Sequence, residues 1–301
     1  MKTLIAIFIL TGVVLAENKI NSVGSDTLNN MMALWAEAYH KKNGTNIFIE
    51  GKGTSSAIPA MIEGKSDIGP LSRKLKPNEI EKFKDKFQEE PFIIDVAIDS
   101  LAVFVHKDNP IVRRGMSLQE IDAIFSITRH GGHPDDIDNW SQFGLKGDYS
   151  NKKIVCYGRN SASATYGFFQ KIALFKGSFK SNVKEQPSGS PVSANSNDKF
   201  GISYSNFGYK TTGVKMVPII IKNRKIEPNK ENAVNGSYPL ARSLKILISP
   251  KASKQTIRFL KFVLSAEGQK IVDKDGYIKL PQKMAQRQIK KLENFKSNLI
   301  K

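Results

Sequence analysis

Histidine and cysteine are scarce in this chain of 301 residues, with four of the first and one of the second. Cys156 alone cannot close an internal disulfide, and its place in an apolar stretch suits a packed side chain better than a nucleophile. The histidines, His40, His106, His130 and His133, are not grouped with the hydroxyl-rich turns, and no Gly-x-Ser-x-Gly elbow occurs. Both absences weigh against a hydrolase. Acid is in short supply, 28 Asp and Glu against 46 Lys and Arg, leaving a formal charge of +18. Beyond the first sixteen residues no apolar run approaches the ~20 residues that a membrane-spanning helix needs.

Those sixteen residues carry one early Lys2, an apolar run, and small residues at Val14 and Ala16. This is the pattern of a secretory signal peptide cleaved before Glu17, with an uncleaved anchor as the alternative that the short run disfavours. No Cys follows the run, so lipid attachment is not expected. The remainder, about 285 residues, suits one large or two medium domains. Its basic balance implies attraction to anions, whether a small oxyanion, a nucleic acid or an anionic membrane surface. The lysines are scattered, and the densest group, Arg287 to Lys291 with Lys296 and Lys301, falls in an expected C-terminal helix. It reads as a solvated face, and nucleic-acid binding is not expected.

Strands and helices alternate with short connections, which predicts α/β layers. Residues 18–23 read as a strand. A Gly-Ser-Asp-Thr turn follows, then a helix whose Leu28, Met31, Met32, Trp35, Ala38 and Tyr39 keep the 3.6-residue period. Residues 46–50 form the next strand and lead through Gly51-Lys-Gly-Thr-Ser-Ser56 into a short helix containing Pro59; Pro77 opens a charged helix. Ser117-Leu-Gln-Glu120 makes a capping box for a helix through Phe125. The loop at 128–140 holds His130, His133, Asp135, Asp136 and Asp138, whose irregular spacing favours a polar loop over a metal site. Residues 184–199 read as loop around a short element, before a strand at 201–204. A helix at 257–272 is expected to close at Gly276. Two long apolar stretches, 96–106 and 238–249, pass between lobes, which implies an outer lobe from both chain ends, an inserted inner lobe, and a cleft between them.

The segment at 153–169 runs from an apolar strand through Arg159, Ser161, Ser163 and Thr165 into a helix. A helix start offers unpaired N–H groups and partial positive charge, the hydroxyls add short donors, and the guanidinium supplies a planar fork suited to a tetrahedral oxyanion. An ordinary Ser-capped helix after a strand is the plainer reading.

Taken in order, Val23-Gly-Ser-Asp-Thr-Leu28, Gly51-Lys-Gly-Thr-Ser-Ser-Ala57, Asp67-Ile-Gly-Pro-Leu-Ser-Arg73, Tyr157-Gly-Arg-Asn-Ser-Ala-Ser-Ala-Thr165 and Leu264-Ser-Ala-Glu-Gly-Gln269 resemble the periplasmic phosphate-binding proteins of ABC phosphate importers. The resemblance covers nearly the whole mature chain. It implies a two-lobe class II solute-binding α/β fold, with an outer lobe of 17–105 plus 236–301 and an inner lobe of 106–235. It also implies a phosphate site of Thr27, the Leu28 amide, Thr54 and Ser55 from one lobe and Arg159, Ser163, the Ala164 amide and Thr165 from the other. Two positions depart from the family's pattern: Ser72 and Ser161 stand where carboxylates are common, which puts selection of phosphate over sulfate in doubt. Arg73 is open to two readings, a compensating ligand charge or a surface or interlobe salt-bridge partner. The expectation is an exported, monomeric, non-enzymatic receptor that passes inorganic phosphate to an ABC permease in the membrane without a cofactor. A phosphatase-like enzyme and a basic surface scavenger or adhesin for polyanions are the alternatives.

Overall fold

The computed structural model describes residues 19–187 and 189–295; the expected leader, Lys296 and Lys301 lie outside them. The chain opens with β1 (Lys19–Gly24), a 3-10 turn at Asp26–Leu28 and α1 (Asn29–Asn43). β2 (Asn46–Gly51) follows, then a 3-10 turn at Thr54–Ser56, α2 (Ala57–Ile62), β3 (Ile68–Leu71) and α3 (Pro77–Phe87). The sequence device of strand, small-residue turn and helix is therefore present twice. α1 buries Met31, Met32, Trp35 and Tyr39 on one face, as its period requires. The Trp35 Nε1–H, which burial would otherwise orphan, donates to the Gly268 carbonyl at 2.8 Å.

β4 (Phe92–His106) is the longest strand. After it come α4 (Ile111–Arg114), β5 (Met116–Ser117), α5 (Leu118–Phe125), β6 (Val155–Arg159), α6 (Ala164–Ala173), β7 (Lys184–Gln186), α7 (Ser190–Ser196) and β8 (Gly201–Asn206). β9 (Val214–Met216), β10 (Ile219–Ile221), β11 (Arg224–Ile226) and α8 (Lys230–Val234) precede β12 (Ala241–Ile248), α9 (Lys254–Leu264), α10 (Ala266–Lys274) and α11 (Gln282–Glu293). The capping box of α5 forms as expected, with Ser117 Oγ accepting from the Glu120 N–H and Glu120 Oε2 accepting from the Ser117 N–H. The single helix expected over 257–272 is two. Ser265 is extended at φ −70° and ψ 165°, and its Oγ donates to the Phe262 carbonyl and accepts from the Gly268 N–H, ending α9 and capping α10.

The main sheet runs β2-β1-β3-β12-β4-β8-β6-β7, with β9 also on β4; β11, β10 and β5 form a small second sheet. β1, β2 and β3 are parallel, and β12 returns antiparallel between β3 and β4. β4 pairs with β12 along residues 92–100 and with β8 and β9 along 101–106. Buried side chains divide near the same point. Trp35, Ile94, Ile98, Leu244 and Phe259 belong to one cluster, and Leu101, Phe125, Trp140, Phe169, Tyr204 and Leu240 to another. The result is a two-lobe α/β fold strung on one continuous strand. The carboxyl ends of β1 and β2 in one lobe, and of β6 in the other, reach the region between the lobes, where open α/β sheets place their ligands.

Candidate functional site

On the outer side the cleft is built from hydroxyls. Gly24 ends β1 where a Cβ would stand 2.4 Å from the Pro70 carbonyl oxygen, so only glycine lets β1 run this close to β3. Ser25 follows, buried; its Oγ accepts from the Thr27 N–H at 3.3 Å and donates to Ser72 Oγ at 2.9 Å. Gly53, at φ +92°, turns the chain out of β2 and delivers Thr54. The buried Thr54 Oγ1 accepts from the Ser72 N–H at 3.1 Å and lies 3.3 Å from Ser72 Oγ. Ser25, Thr54 and Ser72 thus hold one another in place, each with hydrogen-bonding capacity to spare. Thr27 is half-buried and Ser55 exposed at the ends of this array. The Leu28 amide is engaged within the turn, donating to the Ser25 carbonyl at 3.3 Å, and its side chain is in the core.

Arg73 has a definite partner. Its Nη1 and Nη2 grip Glu79 Oε2 and Oε1 at 2.8 and 2.7 Å, and Nη1 also donates to the Lys74 carbonyl. The guanidinium holds the Glu79 carboxyl below its usual range. Of the two readings left open, the salt bridge is the one observed, and it lies within a single lobe.

The inner side is built around a helix start. Ser163 caps α6, its Oγ accepting from the Tyr166 N–H at 3.0 Å. The amides of Ala164 and Thr165, first in the helix, have no carbonyl behind them to bond. Arg159 ends β6; its Nη1 is 3.5 Å from Thr165 Oγ1, and its Nε is buried with no partner. Thr165 Oγ1 donates to Asn206 Oδ1 at 3.2 Å, and Asn206 Nδ2 donates to Asp99 Oδ1 at 2.7 Å. Asp99 is 1% exposed and receives Arg242 Nε on Oδ2 at 2.9 Å. Burial pushes the Asp99 carboxyl up, against the pull of Arg242 and Asn206. Ser161 is exposed, and its N–H donates to Glu185 Oε2 at 3.2 Å.

Between these faces lies a cleft of about 250 Å³ lined by Asp26, Thr27, Thr54, Ser55, Ser72 and Arg73 on one side, Ala164, Gly167, Phe168 and Lys171 on the other, and Arg242. Six of the expected site residues therefore line one space, Thr27, Thr54, Ser55, Ser72, Arg73 and Ala164. Arg159 and Thr165 adjoin it through their bonded network, Ser163 acts as a cap, and Leu28 and Ser161 are occupied elsewhere. Sequence reasoning missed Ser25, Asp99, Asn206, Phe168, Lys171 and Arg242, and reached Asp26 only as a substitute acceptor for the carboxylates absent at Ser72 and Ser161. A signal for two of them existed: Asp99 interrupts one apolar crossing stretch and Arg242, with Lys245, the other, and buried opposite charges demand one another.

Elsewhere, Cys156 is buried and its thiol pushed up to about 12 by desolvation, which leaves it un-ionised at neutral pH. His133 Nδ1 lies 2.8 Å from the Asp135 carbonyl, and among the described residues no group of three or more His, Cys, Asp or Glu converges to hold a metal ion.

A cleft with a guanidinium, free helix-start amides and neutral hydroxyls, of a size for a small ligand, can surround a tetrahedral oxyanion with donors. Comparison with known proteins agrees with this chemistry. Residues 15–267 match the model of a PBP superfamily domain. The chain is 47% identical over 281 residues to the phosphate-binding protein PstS of Pseudomonas aeruginosa, covering 91% of this chain and 86% of that protein. The fold is similar to that of a possible phosphate binding protein from Planctomyces limnophilus, with a TM-score of 0.78 at 22% identity over 92% of this chain and 98% of the other. It is also similar to a putative phosphate ABC transporter substrate-binding protein with bound phosphate from Clostridium perfringens, with a TM-score of 0.57 at 27% identity over 87% of this chain and 100% of the other. By sequence, by fold and by relatives alike, this chain belongs to the PstS family of phosphate-binding proteins within the PBP superfamily.

Proposed function

We propose that this protein is an exported receptor that captures inorganic phosphate between its lobes and hands it to an ABC permease, without catalysing a reaction. The observation that carries the reading is the meeting, across one cleft, of Thr27, Thr54, Ser55 and Ser72 with Ala164 at the start of α6, with Ser25 bonded to Ser72 behind one face and the Arg159–Thr165 pair adjoining the other. Thr27, Thr54, Ser55 and Ser72 bind the anion from the outer lobe; Arg159, the Ala164 amide and Thr165 bind it from the inner lobe. Closure expels water, and each charge-assisted bond strengthens as the local dielectric falls. Micromolar affinity, about −8 kcal/mol, is within reach of a handful of such bonds.

The outer lobe comprises residues 17–105 and 236–301 and the inner lobe 106–235. The split in the buried clusters supports a crossing a few residues inside those bounds, at Ser100/Leu101 and near Leu240/Ala241. The protein acts as a monomer after loss of a leader ending at Ala16, in the periplasm or outside the cell. The un-ionised Cys156 and the scattered histidines support the non-enzymatic reading over a phosphatase.

Calorimetry on the mature chain, stripped of ligand by unfolding and refolding, tests this. One phosphate should bind per chain, with affinity falling less than about threefold between low and high salt, as a desolvated site resists screening. Affinity that collapses with salt indicates a polyanion-holding surface, and turnover of a phosphate ester that survives Arg159→Ala indicates an enzyme.

A further inference from the structure

We propose that Arg242 is a second guanidinium for the bound anion, set at the junction of the lobes by Asp99 and Phe168; this rests on the oxyanion-receptor reading above. Three cations line the cleft among the described residues, Arg73, Lys171 and Arg242. They are not equivalent. Arg73 has both terminal nitrogens closed on Glu79. Lys171 is an exposed side chain on the flank of α6, where water competes for its charge. Arg242 is held inward, with its side chain 19% exposed.

What holds it leaves its far edge open. Arg242 stands opposite Asp99 in the antiparallel register of β12 and β4. Asp99 Oδ2 approaches the guanidinium side-on, 2.9 Å from Nε and 2.8 Å from Nη2. Only the Nε contact has hydrogen-bond geometry; Nη2 is buried with no acceptor aligned to it. Side-on pairing leaves the Nη1–Nη2 edge, which is the fork that fits two oxygens of a tetrahedral anion. No protein acceptor bonds that edge among the described residues. The Phe168 ring lies 4.0 Å from the guanidinium carbon and fixes the plane of the group. Nη1, at the outer corner of that edge, bonds no protein acceptor among the described residues, so an anion oxygen placed there adds a charge-assisted bond without displacing one already made.

The placement also couples the two halves. Arg242 is on β12, its carboxylate partner is on β4, and Phe168 is on α6 of the inner lobe. Asp99 reaches Thr165 through Asn206. One buried carboxylate therefore orients both Arg242 and the hydroxyl that sits beside Arg159. Phosphate, arsenate and sulfate share the oxygens that this fork recognises, so the residue adds affinity for the class more than it chooses within it.

The test is calorimetric titration of the refolded mature chain with phosphate, arsenate and sulfate, using wild type, Arg242→Lys and the paired change Asp99→Asn with Arg242→Gln. The paired change removes both buried charges together and so avoids stranding one of them. The proposal expects it to melt within a few degrees of wild type and to bind phosphate at least tenfold more weakly. Arg242→Lys keeps the ion pair but loses the fork, and is expected to weaken binding at least threefold. It carries the decision if the paired variant does not fold. Wild-type phosphate binding matched within twofold by the folded variants overturns the role of Arg242 alone. A wild-type chain that binds none of the three anions overturns the receptor reading and this assignment with it.

Discussion

The two sides of the cleft solve the same problem with opposite materials. The outer side is framed by neutral hydroxyls that brace one another: Ser25, Thr54 and Ser72 are linked by hydrogen bonds of 2.9 to 3.3 Å, the one cation among them, Arg73, is spent on Glu79, and the one carboxylate, Asp26, is exposed at the edge. The inner side is charged and incomplete. Arg159 Nε has no partner, its Nη1 is 3.5 Å from the Thr165 hydroxyl, and the first amides of α6 face no carbonyl. Satisfied groups hold a shape at little cost, and unsatisfied ones hold a driving force for whatever completes them. From this difference we propose that affinity is concentrated in the inner lobe and geometry in the outer one. The Asp99 network lies where the two meet.

The largest effect should come from removing the inner charge. Arg159→Ala deletes charge-assisted bonds worth roughly 1.5–3 kcal/mol each, so phosphate binding should weaken at least tenfold by calorimetry while the melting temperature stays within a few degrees. Breaking the outer frame should act differently. Gly24→Ala forces a Cβ to 2.4 Å from the Pro70 oxygen, and such overpacking costs roughly 1–3 kcal/mol of folding stability. Differential scanning calorimetry should show a lower midpoint, and phosphate affinity should fall with it because Ser25 is displaced.

Selectivity gives a smaller contrast. Ser72 lines the cleft with a hydroxyl, and Ser161, whose backbone N–H donates to Glu185, is not among the lining residues, which leaves Asp26 as the carboxylate lining the cleft. A carboxylate accepts the proton of a protonated phosphate and has nothing to accept from sulfate. Asp26→Asn should narrow the preference for phosphate over sulfate by about 1 kcal/mol, since the residue is exposed. Competition of sulfate against phosphate reads this directly; an unchanged ratio would assign no selective role to Asp26.

The smallest effect concerns Arg73 and Glu79. The folded Glu79 carboxyl is held below its ordinary value of 4.5 by the guanidinium. A depressed carboxyl contributes stability that is full above its unfolded pKa and is lost as pH falls through the folded one. Glu79→Gln should therefore lower the melting temperature near pH 7 and lower it less at pH 3, with little change in phosphate affinity near neutrality.

Much of this was legible from the sequence because it is local. The capping box at Ser117, the glycine turns before Thr54, and the helix start after Arg159 each depend on residues a few positions apart. Ser265 was misread as helix interior since its neighbours keep the 3.6-residue period, and the period does not register a serine that bonds the Phe262 carbonyl and caps the next turn. Leu28 and Ser161 were assigned to the ligand by position in a motif, yet the hydrogen-bond partners of their amides are fixed by the turn and by Glu185. Asp99, Asn206 and Arg242 were invisible for another reason. Asp99 and Arg242 are 143 residues apart and meet only through the register of β12 on β4. Opposite charges in two apolar stretches were the available clue, and pairing them needed the topology.

The most direct test of the division between the two sides is a pair of half-site variants titrated with phosphate under one set of conditions. Arg159→Ala with Thr165→Val disables the inner side, and Thr54→Val with Ser72→Ala disables the outer side. If charge and free amides on the inner side supply the affinity, the first pair should weaken binding at least tenfold more than the second, whose neutral bonds contribute about 1 kcal/mol each. Equal losses, or a larger loss from the outer pair, would contradict the account.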